Sequence, residues 1–133
     1  MKFGEVLHQS ASTLIRRATA PTGEKLVVKQ PADPSQESWQ SARYQREAEL
    51  TPKTQLVSLQ RQPLQLIFSD FPGRPLETIL QNRRLTFSEA LEILQGGLSQ
   101  LDYLHNLGYW HGLVHPQHLL WHPPSGEVRL LDR

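Results

Sequence analysis

The chain of 133 residues has no cysteine and a single methionine. Without thiols there is no disulfide framework, no thiolate zinc site and no cysteine nucleophile. No run approaches the ~20 apolar residues of a membrane-crossing helix, and the start, Met1-Lys2-Phe3-Gly4-Glu5, lacks the apolar core of a secretory signal. Charge of one sign is missing too: fourteen Lys and Arg stand against thirteen Asp and Glu, a net charge of +1. That balance removes the broad electrostatic footprint of a nucleic-acid binder. The expectation is therefore a soluble cytoplasmic protein with neither membrane nor nucleic acid among its partners. What is present fits a globular class, with 38% hydrophobic and 20% charged residues in a length suited to one ordinary domain.

The first third reads as strands. Val6–Ser10, Thr13–Ala18 and Lys25–Lys29 are short, partly β-branched runs, with Pro21-Thr22-Gly23-Glu24 as turn chemistry between the second and third. Pro31 and Pro34 stop the third strand. The stretch from about Ser35 to Leu50 is rich in Gln, Glu, Arg and Ala without strand alternation; it reads as a helix ended by Pro52. Gln55–Leu59 and Leu64–Phe68 read as two more strands, Phe71-Pro72-Gly73-Arg74-Pro75 as a loop, and Leu76–Gln81 as a turn or two of helix. A long helix follows, opened by the capping box Thr86-x-x-Glu89. Leu91, Leu94, Leu98, Leu101, Tyr103, Leu104 and Leu107 share one broad face of it. Gly96-Gly97 predicts close packing or a bend in the middle, and Asn106 and Gly108 end the helix. Leu119–Trp121 and Val128–Leu131 form a final hairpin around Pro123-Pro124-Ser125-Gly126.

Few residues carry candidate chemistry. Lys29 ends a strand, and Glu47 lies on the helix that follows. A phosphate-binding lysine needs that arrangement, because the carboxylate fixes the ammonium and the ammonium meets phosphate oxygens. A surface lysine closing a strand reads the same way in sequence. Five of the six histidines fall between His105 and His122. His111 and His115 have the spacing of a zinc helix, yet Gly112 and Pro116 argue against a continuous helix there. Trp110 and Trp121 read as core or interface aromatics, and Arg16-Arg17 and Arg83-Arg84 as solvated charges.

The segment Tyr103 to Trp121 introduces a resemblance. A helix ending in Leu104-His105 and Gly108, then His111, Pro116, Leu119-Leu120, a turn and Leu130-Leu131-Asp132, resembles the catalytic loop and metal-binding segment of a protein kinase. The ordered set of strand pair, Lys29 strand, Glu47 helix, two strands, hinge, short helix and long helix extends that resemblance over nearly the whole chain. Ser69-Asp70-Phe71-Pro72-Gly73-Arg74-Pro75-Leu76 and Trp121 to Val128 are similar, more narrowly, to the serine/threonine-kinase-like N-terminal domain of large bacterial multidomain sensor ATPase/histidine kinases. The resemblance implies an α+β fold. A kinase-like N-lobe of five antiparallel strands and one helix would span residues 1–68, and a hinge with the first part of a helical C-lobe residues 69–133. It also implies an ATP site with magnesium, in which Lys29 meets the phosphates, Glu47 holds Lys29, and Asp132 binds the metal.

The departures from that pattern decide the expected activity. The catalytic aspartate position is Leu113, which cannot accept a proton; the lysine position is His115, and the second metal ligand is His118. The segment Gln9-Ser10-Ala11-Ser12-Thr13 has no glycine to let a backbone approach phosphates. Arg133 follows Asp132 where the pattern has Phe-Gly, and neither an activation segment nor a lower helical lobe is expected in this chain. Loss of a general base alone costs about 10²–10⁴ in rate, or roughly 3–5 kcal/mol. No kinase turnover is expected. Three functions stay open. One is a degenerate kinase-like domain, a pseudokinase or fragment, with weak ATP binding and a regulatory or interaction role toward a protein partner or the rest of a larger sensor. Another is an active phosphotransferase, of protein-kinase or aminoglycoside/choline-kinase type, completed by a missing C-terminal half or a partner chain. The third is a ligand-free scaffold or oligomerisation module.

Overall fold

A computed structural model of the chain describes residues 1–108 and 119–130. Among the described residues the fold is α+β, with a five-stranded antiparallel sheet, a second sheet of three strands, and three α-helices. It divides into two compact units, Met1–Phe71 and Pro72–Arg133.

The first unit runs β1 (Lys2–Gln9), β2 (Thr13–Thr19), β3 (Lys25–Pro31), α1 (Glu37–Leu50), β4 (Leu56–Arg61) and β5 (Leu64–Ser69), with sheet order β1-β2-β3-β5-β4. The turn between β2 and β3 closes at Gly23, whose φ of +89° is a left-handed value that a Cβ disfavours. Pairing then proceeds without slip from Thr19↔Lys25 to Thr13↔Pro31, so alternate residues of β3 point to opposite faces. On one face Val28, Ala18, Leu26 and Ile67 form a cluster. On the other, Leu64 and Leu66 pack with Tyr44 of α1. Pro31, expected to stop β3, is its last residue. The sequence expectation missed the start of β1. That strand slips register between Phe3 and Val6 and again before His8, so its apolar residues do not alternate cleanly.

A short 3-10 turn, Pro34–Gln36, leads into α1. Asp33 accepts from the Ser35 N–H at 2.9 Å, and Gln36 reaches back to the Asp33 N–H at 3.3 Å, a complete capping box. The helix ends at Leu50, before Pro52, and the Thr51 hydroxyl donates to the Glu47 carbonyl at 2.7 Å. Its buried residues are Gln40, Tyr44 and Glu47. These sit three and four apart, on one stripe that faces the sheet with polar atoms.

The second unit holds β6 (Arg74–Pro75), α2 (Leu76–Asn82), α3 (Phe87–Asn106), β7 (Leu119–His122) and β8 (Glu127–Leu130), with sheet order β6-β7-β8. Residues 74 and 75, expected within a loop, instead pair with Trp121 and Leu120. Thr86 and Glu89 form the expected capping box on α3, and Gly108 follows its end at φ +77°. Midway along, Val128 of β8 lies so close to Gly96 that an added Cβ would sit 2.6 Å from Val128 Cγ2. The glycine is what lets the hairpin lie on the helix. Trp121 is fully buried. The broad apolar face expected for α3 is divided. Ile93, Gly97 and Leu104 are buried, whereas Leu91, Leu94 and Leu98 are 43%, 58% and 55% exposed. Among the described residues, no helix is long and apolar enough to cross a membrane.

Candidate functional site

Strand alternation decides where Lys29 points. It lies opposite Ile15 of β2 and Leu66 of β5, on the face that α1 covers. Glu47, in the last turns of α1, meets it there: Lys29 Nζ donates to Glu47 Oε1 in a buried ion pair. The two side chains are only 4% and 5% exposed. The Tyr44 ring, one turn earlier on α1, lies 5.4 Å from the same ammonium. The second carboxylate oxygen, Glu47 Oε2, is buried and has no hydrogen-bond partner among the described residues. Sequence reasoning paired Lys29 with Glu47, and the structure brings them together. It did not identify Tyr44 or Gln40, because a buried face of Gln40, Tyr44 and Glu47 has no apolar period to mark it.

A buried ion pair is not a source of large net stability, since desolvating both charges offsets most of their attraction. Its chemical consequence is a fixed position. A lysine ammonium has three donors, and Glu47 Oε1 engages one of them.

The β1–β2 turn is built differently from a phosphate cradle. Ser10 Oγ accepts from the N–H groups of Thr13 at 3.2 Å and Ser12 at 3.4 Å, and the Ser10 N–H donates to Thr13 O at 2.9 Å. Its carbonyls are engaged as well: Gln36 Nε2 donates to Ala11 O at 3.0 Å, Gln40 Nε2 to Ser12 O at 2.8 Å, and the Ala32 N–H to Ser12 O at 3.1 Å. The turn is strapped to the start of α1, and those two amides are already satisfied within it.

The remaining site residues of the sequence reading, Asp132, Leu113, His111, His115 and His118, lie outside the described residues, as does Trp110. Among the described residues no group of three or more metal-ligating side chains occurs. Of the two arginine pairs, Arg84 is the exposed charge expected, whereas Arg16, Arg17 and Arg83 have partners. Arg16 stacks on the Phe3 ring at 3.6 Å and donates to Gln30 at 2.7 Å. Arg17 donates to the Phe71 carbonyl at 2.8 Å and pairs with Glu5 and Asp70. Arg83 grips both oxygens of Glu89, at 2.9 and 2.8 Å. That contact, with the Thr86 N–H next in importance, holds the Glu89 carboxyl down at about 2. A cavity of about 180 Å³ is lined by residues that include Phe3, Arg16, Gln30, Pro31, Glu37 and Leu64.

No known family model matches the chain, and no curated protein matches it.

Proposed function

We propose that the chain is a degenerate kinase-like module that holds a nucleotide phosphate weakly through Lys29 and serves a regulatory or interaction role without transferring phosphate. The observation that carries this reading is the buried Lys29–Glu47 pair between a central strand and the helix after it. A strand lysine oriented by a helix carboxylate is the part of a phosphoryl-transfer site that binds, as distinct from the part that reacts. Asp132 is the residue proposed to hold magnesium with ATP, and the metal would neutralise phosphate charge there.

The expected weakness has a structural argument. Ser10 occupies the N–H groups of Ser12 and Thr13, and the turn carries no glycine. A phosphate would therefore be held by one lysine instead of by a nest of amides. The lack of turnover follows from Leu113, an aliphatic side chain where the kinase pattern has its proton-accepting carboxylate.

A fluorescent-nucleotide titration with magnesium, run beside a phosphate-transfer assay on the same preparation, tests the proposal. Saturable binding that Lys29→Met removes, with no transfer, supports it. Binding that is unchanged in Lys29→Met removes the nucleotide claim. Turnover by the intact chain would favour the active phosphotransferase reading instead.

A further inference from the structure

Helix α3 has a second apolar face. Phe87, Leu91, Leu94 and Leu98 are 80%, 43%, 58% and 55% exposed, and they recur at spacings of four, three and four. That is the spacing of a coiled-coil seam, and Leu101, half-buried, continues it. At about 100° per residue these side chains lie within roughly 40° of one line along the helix, while the buried Ile93, Gly97 and Leu104 are centred roughly 100° away. One face packs on the hairpin, and the other is open.

We propose that this open face pairs with the same face of a second copy of the chain, the two α3 helices running antiparallel about a two-fold axis. Self-complementarity is the first argument. A partner helix placed so that its Leu98 faces Phe87 also sets its Leu94 against Leu91, and the two-fold repeats both layers. An isologous interface requires such a match. Charge is the second. The same register brings the segment before the helix, which carries Arg84, toward the end of the second copy's helix that carries Leu101 and Asp102. Arg84 and Asp102 are exposed, and neither side chain has an ion pair among the described residues. Antiparallel helix dipoles add to the attraction. The flanks, Ser88, Ala90 and Gln95, bring no like charges together.

Area sets the strength. The four exposed side chains present about 400 Å² of apolar surface, within the range of the largest patch on a typical monomer. With Leu101, Arg84 and Asp102 the buried surface reaches about 600 Å² per copy, below the ~800 Å² of a standard stable interface. The dimer is therefore reversible and concentration-dependent. This proposal does not depend on the nucleotide reading.

Light scattering and sedimentation on the full chain from about 1 μM to about 1 mM, a range that brackets interfaces of this size, test it. The mass should rise toward twice the monomer. Leu94→Glu should weaken association at least about tenfold, with the helical signal retained, since that position is exposed. Asp102→Arg should weaken it less, and Asp102→Arg combined with Arg84→Glu should recover it. Because the chain lacks cysteine, Phe87→Cys mixed with Leu98→Cys should give a disulfide-linked heterodimer that Phe87→Cys alone does not. A chain that stays monomeric throughout overturns the proposal and assigns the stripe to another protein or to further polypeptide. So does a dimer indifferent to Leu94→Glu, or one that cross-links Phe87→Cys to itself.

Discussion

Removing the Glu47 carboxylate would take a buried charge partner from a lysine side chain that is only 4% exposed. Breaking a buried ion pair from one side costs about 3–5 kcal/mol, because the remaining charge stays out of water and loses a compensating partner. Glu47→Leu should therefore lose a large share of the ~5–15 kcal/mol that holds a domain of this size together. At roughly 3 °C per kcal/mol, the midpoint of thermal unfolding should fall by about 10 °C or more. The double replacement Lys29→Met with Glu47→Leu removes both charges and fills the same space. It should return to within about 1–2 kcal/mol of the wild type, giving a strongly non-additive cycle. Urea unfolding followed by far-ultraviolet circular dichroism reads all four proteins on one scale. If each single substitution costs less than about 1 kcal/mol, the pair behaves like an exposed one, and the argument for a fixed, buried ammonium fails.

Three further outcomes are expected. Glu89 titrates at about 2 when folded against an ordinary 4.5, held down first by Arg83 and next by the Thr86 N–H. A carboxyl lowered on folding contributes stability that is complete above the unfolded value and is lost as pH falls from about 4.5 toward 2. Helical signal from the intact chain should therefore decline over that window more steeply than in Glu89→Gln; parallel acid limbs would contradict this. Thr86→Ala should cost about 1 kcal/mol through loss of the cap on α3, and an unchanged urea midpoint would refute the capping role. Gly96→Ala should destabilise despite alanine's better helix propensity, because the new methyl would meet Val128 Cγ2 at 2.6 Å. Pairing it with Val128→Ala should recover part of the loss, and a stabilised single variant would show that the hairpin does not bear on the helix there.

Residues whose local rules and tertiary roles agree were legible in the sequence. Thr86 and Glu89 announced the start of α3, Pro52 the end of α1, and Gly23 the turn that registers β2 on β3. The individual strands and helices were read from such signals, whereas their assembly into an α+β fold with a five-stranded antiparallel sheet was expected from the resemblance. Helix α1 was legible only by default: it packs through Gln40, Tyr44 and Glu47, so no apolar period marks its buried face. The same fact hid the strap from Gln36 and Gln40 to the β1–β2 turn, because side chain to carbonyl bonds across 25 and 28 residues leave no local trace. On α3 the apolar residues were visible but their division was not. Leucines three and four apart read as one face until the position of Val128 shows which side the hairpin covers. Arg16 and Arg17 misread as solvated for a related reason: cross-strand partners such as Gln30 and Glu5 are remote in sequence. Within the site, the Lys29–Glu47 pairing was legible because it needed only a strand end and the next helix.

On the proposed function, the Lys29 ammonium binds phosphate. Magnetic resonance on isotope-labelled chain, titrated with ATP and magnesium and then with adenosine as a control, tests it at the atom concerned. The account predicts saturable shifts at Lys29 Nζ and along β3 and the end of α1, produced by ATP and absent with adenosine. Shifts confined to other elements, or none at the highest ATP concentration, would contradict it.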